Sequence, residues 1–265
     1  VTFHVFSPAL VFRLISESTL DGDEALRMVV LAATSILIPG VLAAAYARLA
    51  HLPRRRAVSF VLVSMCVNSG NYGLSLVALA FGAPALAHAA VFFATSVTLN
   101  FTVGVAVASM GQQDVRHALL GVLRVPTVYA VGLAVAAKFS GLAMPLFVDR
   151  SLELLSDAAI PGMLVVLGMQ LQRMGSLRPQ SHLAPAMVLR LLVGPAVAVL
   201  AAGALGLRGP ARQAGVIEAA VPTAVLTTVF ADTYDLDTEL VSQAVLVSTL
   251  LSPITLTPLL AWLGA

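Results

Sequence analysis

Charge is scarce in this sequence. Of 265 residues only 11% are Asp, Glu, Lys or Arg, against about 25% in typical soluble domains. A water-soluble fold of this size needs a polar coat that 15 basic and 13 acidic side chains cannot supply. Cysteine is nearly absent too. Cys66 stands alone in an apolar run, so a disulfide framework is excluded. The 19 glycines and 14 prolines follow no collagen-like period, and the hydrophobicity excludes disorder. Aromatic residues are 6% and no basic tract is interleaved with them, which argues against a nucleic-acid partner. The five histidines (His4, His51, His88, His117 and His182) show no metal-ligand spacing. There is no HExxH, phosphate loop or nucleophile elbow. Neither an enzyme nor a resident cofactor or metal is expected.

What is present is length of apolar chain. The sequence is 59% hydrophobic, with a mean hydropathy of +0.95. Residues 57–113 contain no charged side chain, nor do 28–47, 191–207 or 240–265. A helix crosses the roughly 30 Å hydrocarbon layer with about 20 residues, so the first run holds two crossings. The dyad alternation of a transmembrane barrel is missing. The expected class is an all-α integral membrane bundle, with spans near 1–16, 27–48, 58–80, 86–108, 119–137, 151–172, 184–206, 213–231 and 240–263.

These nine spans contain a repeat. Placing Pro8 on Pro161 sets a shift of 153 residues, which carries 27–48 onto 180–201, 58–80 onto 211–233 and 86–108 onto 239–261. Span 119–137 then has its counterpart before Val1, so the natural chain is expected to begin roughly 35–40 residues earlier, with one more helix, as the repeat arithmetic requires. The architecture would be five plus five helices. An odd number per repeat inverts the second half relative to the first.

The most informative stretch is Asn68-Ser69-Gly70-Asn71-Tyr72-Gly73-Leu74, at mid-membrane depth in the longest charge-free run. Asn and Gly are poor helix formers, so the helix should unwind here. Unwound backbone in a bilayer is tolerated only against protein or a cavity. The 153 shift takes Asn68 and Asn71 to Val221 and Ala224, which bracket Pro222-Thr223. Pro222 breaks its own helix at the matching depth. Interrupted segments at corresponding places point to a transport site, where half-helix N-termini attract a carboxylate. The candidate substrate contacts are Asn68, Gly70, Asn71, Tyr72, Pro222, Thr223, Asn100 and Gln170. Ser64 and Thr227 are further hydroxyl candidates.

These residues resemble a family. Asn68 to Leu74 is similar to the Asn/Gly-rich motif of the auxin efflux carriers, whose bacterial members include malate and malonate carriers. Glu218 to Ala224 resembles that family's second crossover. Ile160-Pro161, Leu167 to Leu171, Ala231 to Tyr234, Leu246 to Leu250 and Ser252-Pro253 also fit. The family often has proline where this chain has Ser75, so the first break rests on Asn and Gly alone. The resemblance implies a scaffold part, here 1–16 and 119–172, and a transport part, 27–108 and 184–263, moving against each other to give alternating access. The related bile acid sodium symporters share the implied fold, which leaves Na+ or H+ open as the coupling ion. A homodimer through 1–16 and 151–172 is the expected self-association.

A charge at bilayer centre needs a partner, water or a task. Arg13, Arg124, Asp157, Arg190 and Glu218 fall within the spans. Glu218, four residues before Pro222, is a proton carrier, a sodium ligand, a carboxylate paired with an arginine or one at the water boundary. Arg190 is its natural partner or an attractor of anions. Asp157 is a coupling candidate or a helix cap, and Arg13 and Arg124 are snorkelling candidates. Loops with Arg54 to Arg56, Arg116, Arg173 and Arg178 share one side; the positive-inside count is nearly balanced, and the Arg triplet and the family resemblance imply that this side is cytoplasmic. The expected function is secondary transport of a small carboxylate in a multi-pass cell-membrane protein, with the lipid bilayer its other partner. The alternative is a membrane sensor or interaction module on a carrier-like fold.

Overall fold

The computed structural model describes residues 2–17, 21–109, 126–140, 144–173, 178 and 180–265, the side chains of 171 and 173 excepted. Arg116 and Arg124, and the part of span 119–137 before residue 126, lie outside the described residues, as does the Arg173 side chain. All the regular elements among the described residues are helical.

A short π turn, Thr2–Phe6, leads into α1 (Ser7–Ser16). Asp21 caps the next helix by accepting from the Glu24 N–H at 2.6 Å, so α2 (Gly22–Leu49) starts earlier than the apolar run alone predicts. α3 (Arg54–Met65) ends inside the charge-free run. A π turn, Ser69–Leu74, then feeds α4 (Ser75–Leu99), a second π turn (Asn100–Gly104) and α5 (Val105–Ala108). The second half holds α6 (Pro126–Ser140), α7 (Leu146–Asp157) and α8 (Ala159–Arg173). Then come α9 (Leu183–Val188), a π turn (Leu189–Val193) and α10 (Gly194–Ala204). α11 (Gly209–Ala220), α12 (Leu226–Thr233) and α13 (Thr238–Leu263) complete the chain.

Gly82 divides the expected spans 58–80 and 86–108. Its φ of +72° and ψ of −164° lie in a region essentially reserved for glycine. The 40 residues from Ser69 to Ala108 are therefore not one rod, which at 1.5 Å per residue would be about twice the hydrocarbon thickness. Span 151–172 is likewise two helices, α7 and α8, with a turn at Ala158. Among the described residues five helical stretches are long and apolar enough to cross a membrane.

Four pairs of helix ends fall at one separation. Arg54 and Gly209 start α3 and α11, and Met65 and Ala220 end them. Leu49 and Ala204 end the helices before them, and Ala108 and Leu263 end the last helices of each half. Each pair is 155 positions apart, two more than the proline alignment gave.

Packing gathers these elements around two apolar cores. One joins Met28, Leu31, Phe60, Leu62 and Val221, and so binds α2 and α3 to α11 and the chain just beyond it. The other joins Leu10, Val11, Leu74, Phe93, Met163 and Ile217. The second core is where α1 and α8 meet α4 and α11. Leu79, Leu200 and Phe147, each more than 70% exposed, lie on an apolar exterior suited to lipid.

Candidate functional site

α3 stops at Met65 and α11 at Ala220, and the chain after each is extended: Cys66 has ψ 114° and Val221 ψ 158°. The two extended segments cross and pair as an antiparallel bridge between Val67 and Thr223. Asn68 N–H donates to Pro222 O and Ala224 N–H to Cys66 O, both at 2.9 Å. Each broken helix thus satisfies backbone groups of the other, which is what allows unwound chain at this depth. The Thr223 hydroxyl donates to Val63 O at 2.8 Å, filling a carbonyl in the last turn of α3. Its N–H donates to Ser248 Oγ at 3.1 Å. Thr223 is a fastener of the crossover, its hydroxyl committed to the Val63 carbonyl. Ser64 and Thr227 are likewise bound to the Phe60 and Ala224 carbonyls.

Four half-helix ends meet here, and they divide by sign. The C-terminal ends of α3 and α11 carry partial negative charge. Arg190, with no exposed surface, lies beside Cys66 and donates through Nη2 to Ala219 O, so its cation faces both negative ends. The expected Arg190–Glu218 ion pair is not formed. The reason is positional: the guanidinium is taken by a carbonyl one residue further along α11.

The N-terminal ends face a cavity of about 450 Å³. Ser69, Gly70 and Asn71 line it from the first turn before α4, and Val225 and Leu226 from the start of α12. The first N–H groups of a helix have no carbonyl behind them, and here the chain behind is extended. Three carboxamides join them: Asn68, Asn100 and Gln170 line the cavity, and Asn68 Nδ2, Asn100 Oδ1 and Gln170 Oε1 are buried without a hydrogen-bond partner. Asn68 and Asn100 are 7% and 4% exposed. Buried polar atoms left open in this way await a ligand or water. Phe3, Phe93, Val97, Val166 and Val229 make the rest of the wall apolar, and among the described residues no Arg, Lys or His lines it. Gly70 is required by Phe93, whose Cε2 would lie 2.8 Å from a Cβ added there.

Glu218 sits behind this turn and not in the cavity. It is fully buried, and neither carboxylate oxygen has a partner. The side chain presses on Gly73: a Cβ at that position would be 2.6 Å from Glu218 Cδ. Neither a water boundary nor an arginine explains this carboxyl.

Of the expected site residues, Asn68, Gly70, Asn71, Asn100 and Gln170 come together around the cavity. Tyr72, Pro222 and Thr223 do not line it. The Tyr72 hydroxyl accepts from Ser252 Oγ at 3.0 Å, and Pro222 contributes its carbonyl to the crossover. Asp157 is exposed at the end of α7, outside the cavity, and α8 begins two residues later without using it as a cap. Arg13 pairs with Glu17 at 2.8 Å one turn away. The sequence reading missed Ser69 and the two half-helix residues Val225 and Leu226, although all flank motifs it had singled out. It also missed Thr2, Phe3 and Ser7, which carry no local signal, since only tertiary packing brings them to Asn100. Among the described residues no three His, Cys, Asp or Glu side chains gather to hold a metal ion.

Residues 108–260 match the family described as membrane transport protein. An uncharacterized transporter of Methanothermobacter thermautotrophicus is 28% identical over 258 residues, covering 97% of this chain and 85% of its own length. One from Methanocaldococcus jannaschii is 24% identical, covering 95% and 84%. Auxin efflux carrier component 3 of Arabidopsis thaliana is 36% identical over 141 residues, 51% of this chain but 22% of the plant protein.

Proposed function

Because this chain belongs to the membrane transport protein family, that of the auxin efflux carriers, and so is a multi-pass membrane transporter and not an enzyme, we propose that it is a secondary carrier. Its cargo is a small organic anion, moved by alternating access around the crossed half-helices. The observation that carries this reading is the cavity where two half-helix N-termini and three carboxamides with unpaired atoms converge. Such a site holds a carboxylate through N–H dipoles without a fixed cation.

The wall favours one kind of anion. With no Arg, Lys or His around it among the described residues, the cavity offers no side-chain cation there to neutralise a dicarboxylate. Its apolar side chains suit a monocarboxylate with a hydrophobic body. The volume of about 450 Å³ lies within the usual range for small-molecule sites. Plant relatives of this chain are named auxin efflux carriers, which agrees with carriage of an organic acid.

An inverted repeat of five plus five helices is supported by the 155-residue separation shared by four pairs of helix ends. In this reading α1, α6, α7 and α8 are scaffold, and α2 to α5 with α9 to α13 are the transport part. The cavity lies between them, since Thr2, Ser7 and Gln170 come from one part and Asn68 and Asn100 from the other. A homodimer would form through α1, α7 and α8, whose Leu154 and Val165 are exposed.

The test is uptake by vesicles holding the purified full-length protein, using labelled hippurate, indole-3-acetate and malonate with protein-free vesicles as blank. Saturable uptake of a monocarboxylate in preference to malonate is expected. Uptake that is linear in concentration, or absent for all three, contradicts the reading.

A further inference from the structure

Glu218 is a buried acid for which neither the crossover nor the cavity has a use. Resting on the carrier reading above, we propose that Glu218 is the proton-binding group of the transport cycle, and that its neutral form and the bound anion travel together.

The argument is one of surroundings. α11 packs against α2, α4, α10 and α13 and against the turns Ser69–Leu74 and Leu189–Val193. The charged or titratable side chains of these elements are committed elsewhere or lie at their ends. Asp23 pairs with Arg27, Glu24 lies 3.2 Å from His88, and Tyr46 bonds His182. Tyr72 is held by Ser252, Arg212 lies over the Trp262 ring at 4.4 Å, and Arg190 is bonded to Ala219 O through Nη2, its Nε and Nη1 having no partner. Arg48 and Glu239 are exposed. None reaches Glu218, whose two oxygens stay unpartnered. An ionised carboxylate buried without cation or donor costs far more than a neutral acid, so such a group takes up a proton.

Position supplies the coupling. The carboxyl lies against Gly73, on the same short turn whose Ser69, Gly70 and Asn71 face the cavity. A negative charge there would repel an anion bound to the turn and compete with it for the turn's N-terminal dipole. Protonation removes that repulsion, so proton and anion strengthen one another's binding, and the effect is reciprocal. Glu218 is a positioning residue, acting on cargo through the turn.

Two measurements on the full-length protein in vesicles test this. Infrared difference spectra over a pH titration should show a protonated carboxyl present at neutral pH, lost in Glu218→Gln and kept in Glu153→Gln. A hippurate jump on a supported membrane should move no net charge in the wild type, and one negative charge per hippurate in Glu218→Gln, which keeps the size and neutrality of the acid. Exchange of labelled hippurate at equal pH should persist in both. A spectrum unchanged by Glu218→Gln overturns the proposal, and so does equal charge movement in the two proteins. A carboxyl band that behaves as stated, with no hippurate exchange in the wild type, overturns the carrier reading and leaves the proton site standing.

Discussion

Thr223→Val separates the crossover's architecture from its cargo site. The substitution is close to isosteric and removes one hydroxyl, the donor to Val63 O at 2.8 Å in a fully buried place. Val63 belongs to the last turn of α3, beyond which the chain is extended, so its carbonyl has no other donor among the hydrogen bonds formed there. An unsatisfied buried carbonyl costs about 1–3 kcal/mol. For chains of this size each kcal/mol shifts the melting temperature by roughly 2–4 °C, so a loss of about 2 kcal/mol lowers it by about 4–8 °C. Thermal unfolding in detergent, followed through the single tryptophan Trp262, reads the change. Thr223→Ser keeps the donor and loses one buried methyl, about 1 kcal/mol, so it should melt about 2–4 °C below the wild type by the same scaling. Substrate KM should be nearly unchanged in both, since Thr223 does not line the cavity. A Val variant as stable as the wild type, or one with a raised KM and normal stability, would refute the reasoning.

Other expectations divide in the same way between fold and cargo. Asn100→Ala removes an amide whose Oδ1 has no partner in the protein; it should raise KM about 5–10-fold, the worth of one hydrogen bond of about 1–1.5 kcal/mol, with little change in melting. Gly73→Ala overpacks the Glu218 carboxyl and should destabilise by about 1–3 kcal/mol; shortening the acid with Glu218→Ala in the same chain should recover part of that loss, read as a non-additive melting shift. Gly82→Ala places a Cβ at φ +72°, ψ −164° and should cost about 1–3 kcal/mol, with KM unaltered.

The breaks were legible in the sequence because Asn68, Gly70, Asn71 and Gly73 crowd one charge-free stretch and Pro222 interrupts another at matching depth. Their mutual pairing was legible only in outline. Pro8 and Pro161 set the alignment two residues off the helix-end separation, because a proline is tolerated at several positions in a first helical turn and is a loose ruler. Asn100 and Gln170 were found as amides in apolar spans. That Thr223 fastens the last turn of α3 was not legible, because the carbonyl its hydroxyl serves is invisible in sequence. Arg190 was matched to Glu218 by charge, whereas the structure pairs it with a helix C-terminus, a negative end that belongs to no side chain. Thr2 and Phe3 reach the cavity only through the packing of α1 and α8 against α4, which no local pattern encodes.

The account's central claim is that the cavity between the half-helix N-termini binds a carboxylate and carries it across. Counterflow tests it most directly: vesicles holding the full-length protein and loaded with unlabelled hippurate are diluted into labelled hippurate at equal pH. The account predicts a transient overshoot of label, absent from empty vesicles and from the Asn68→Leu, Asn100→Leu double variant. Label entry that internal hippurate does not accelerate, or an overshoot that survives loss of both amides, would contradict it.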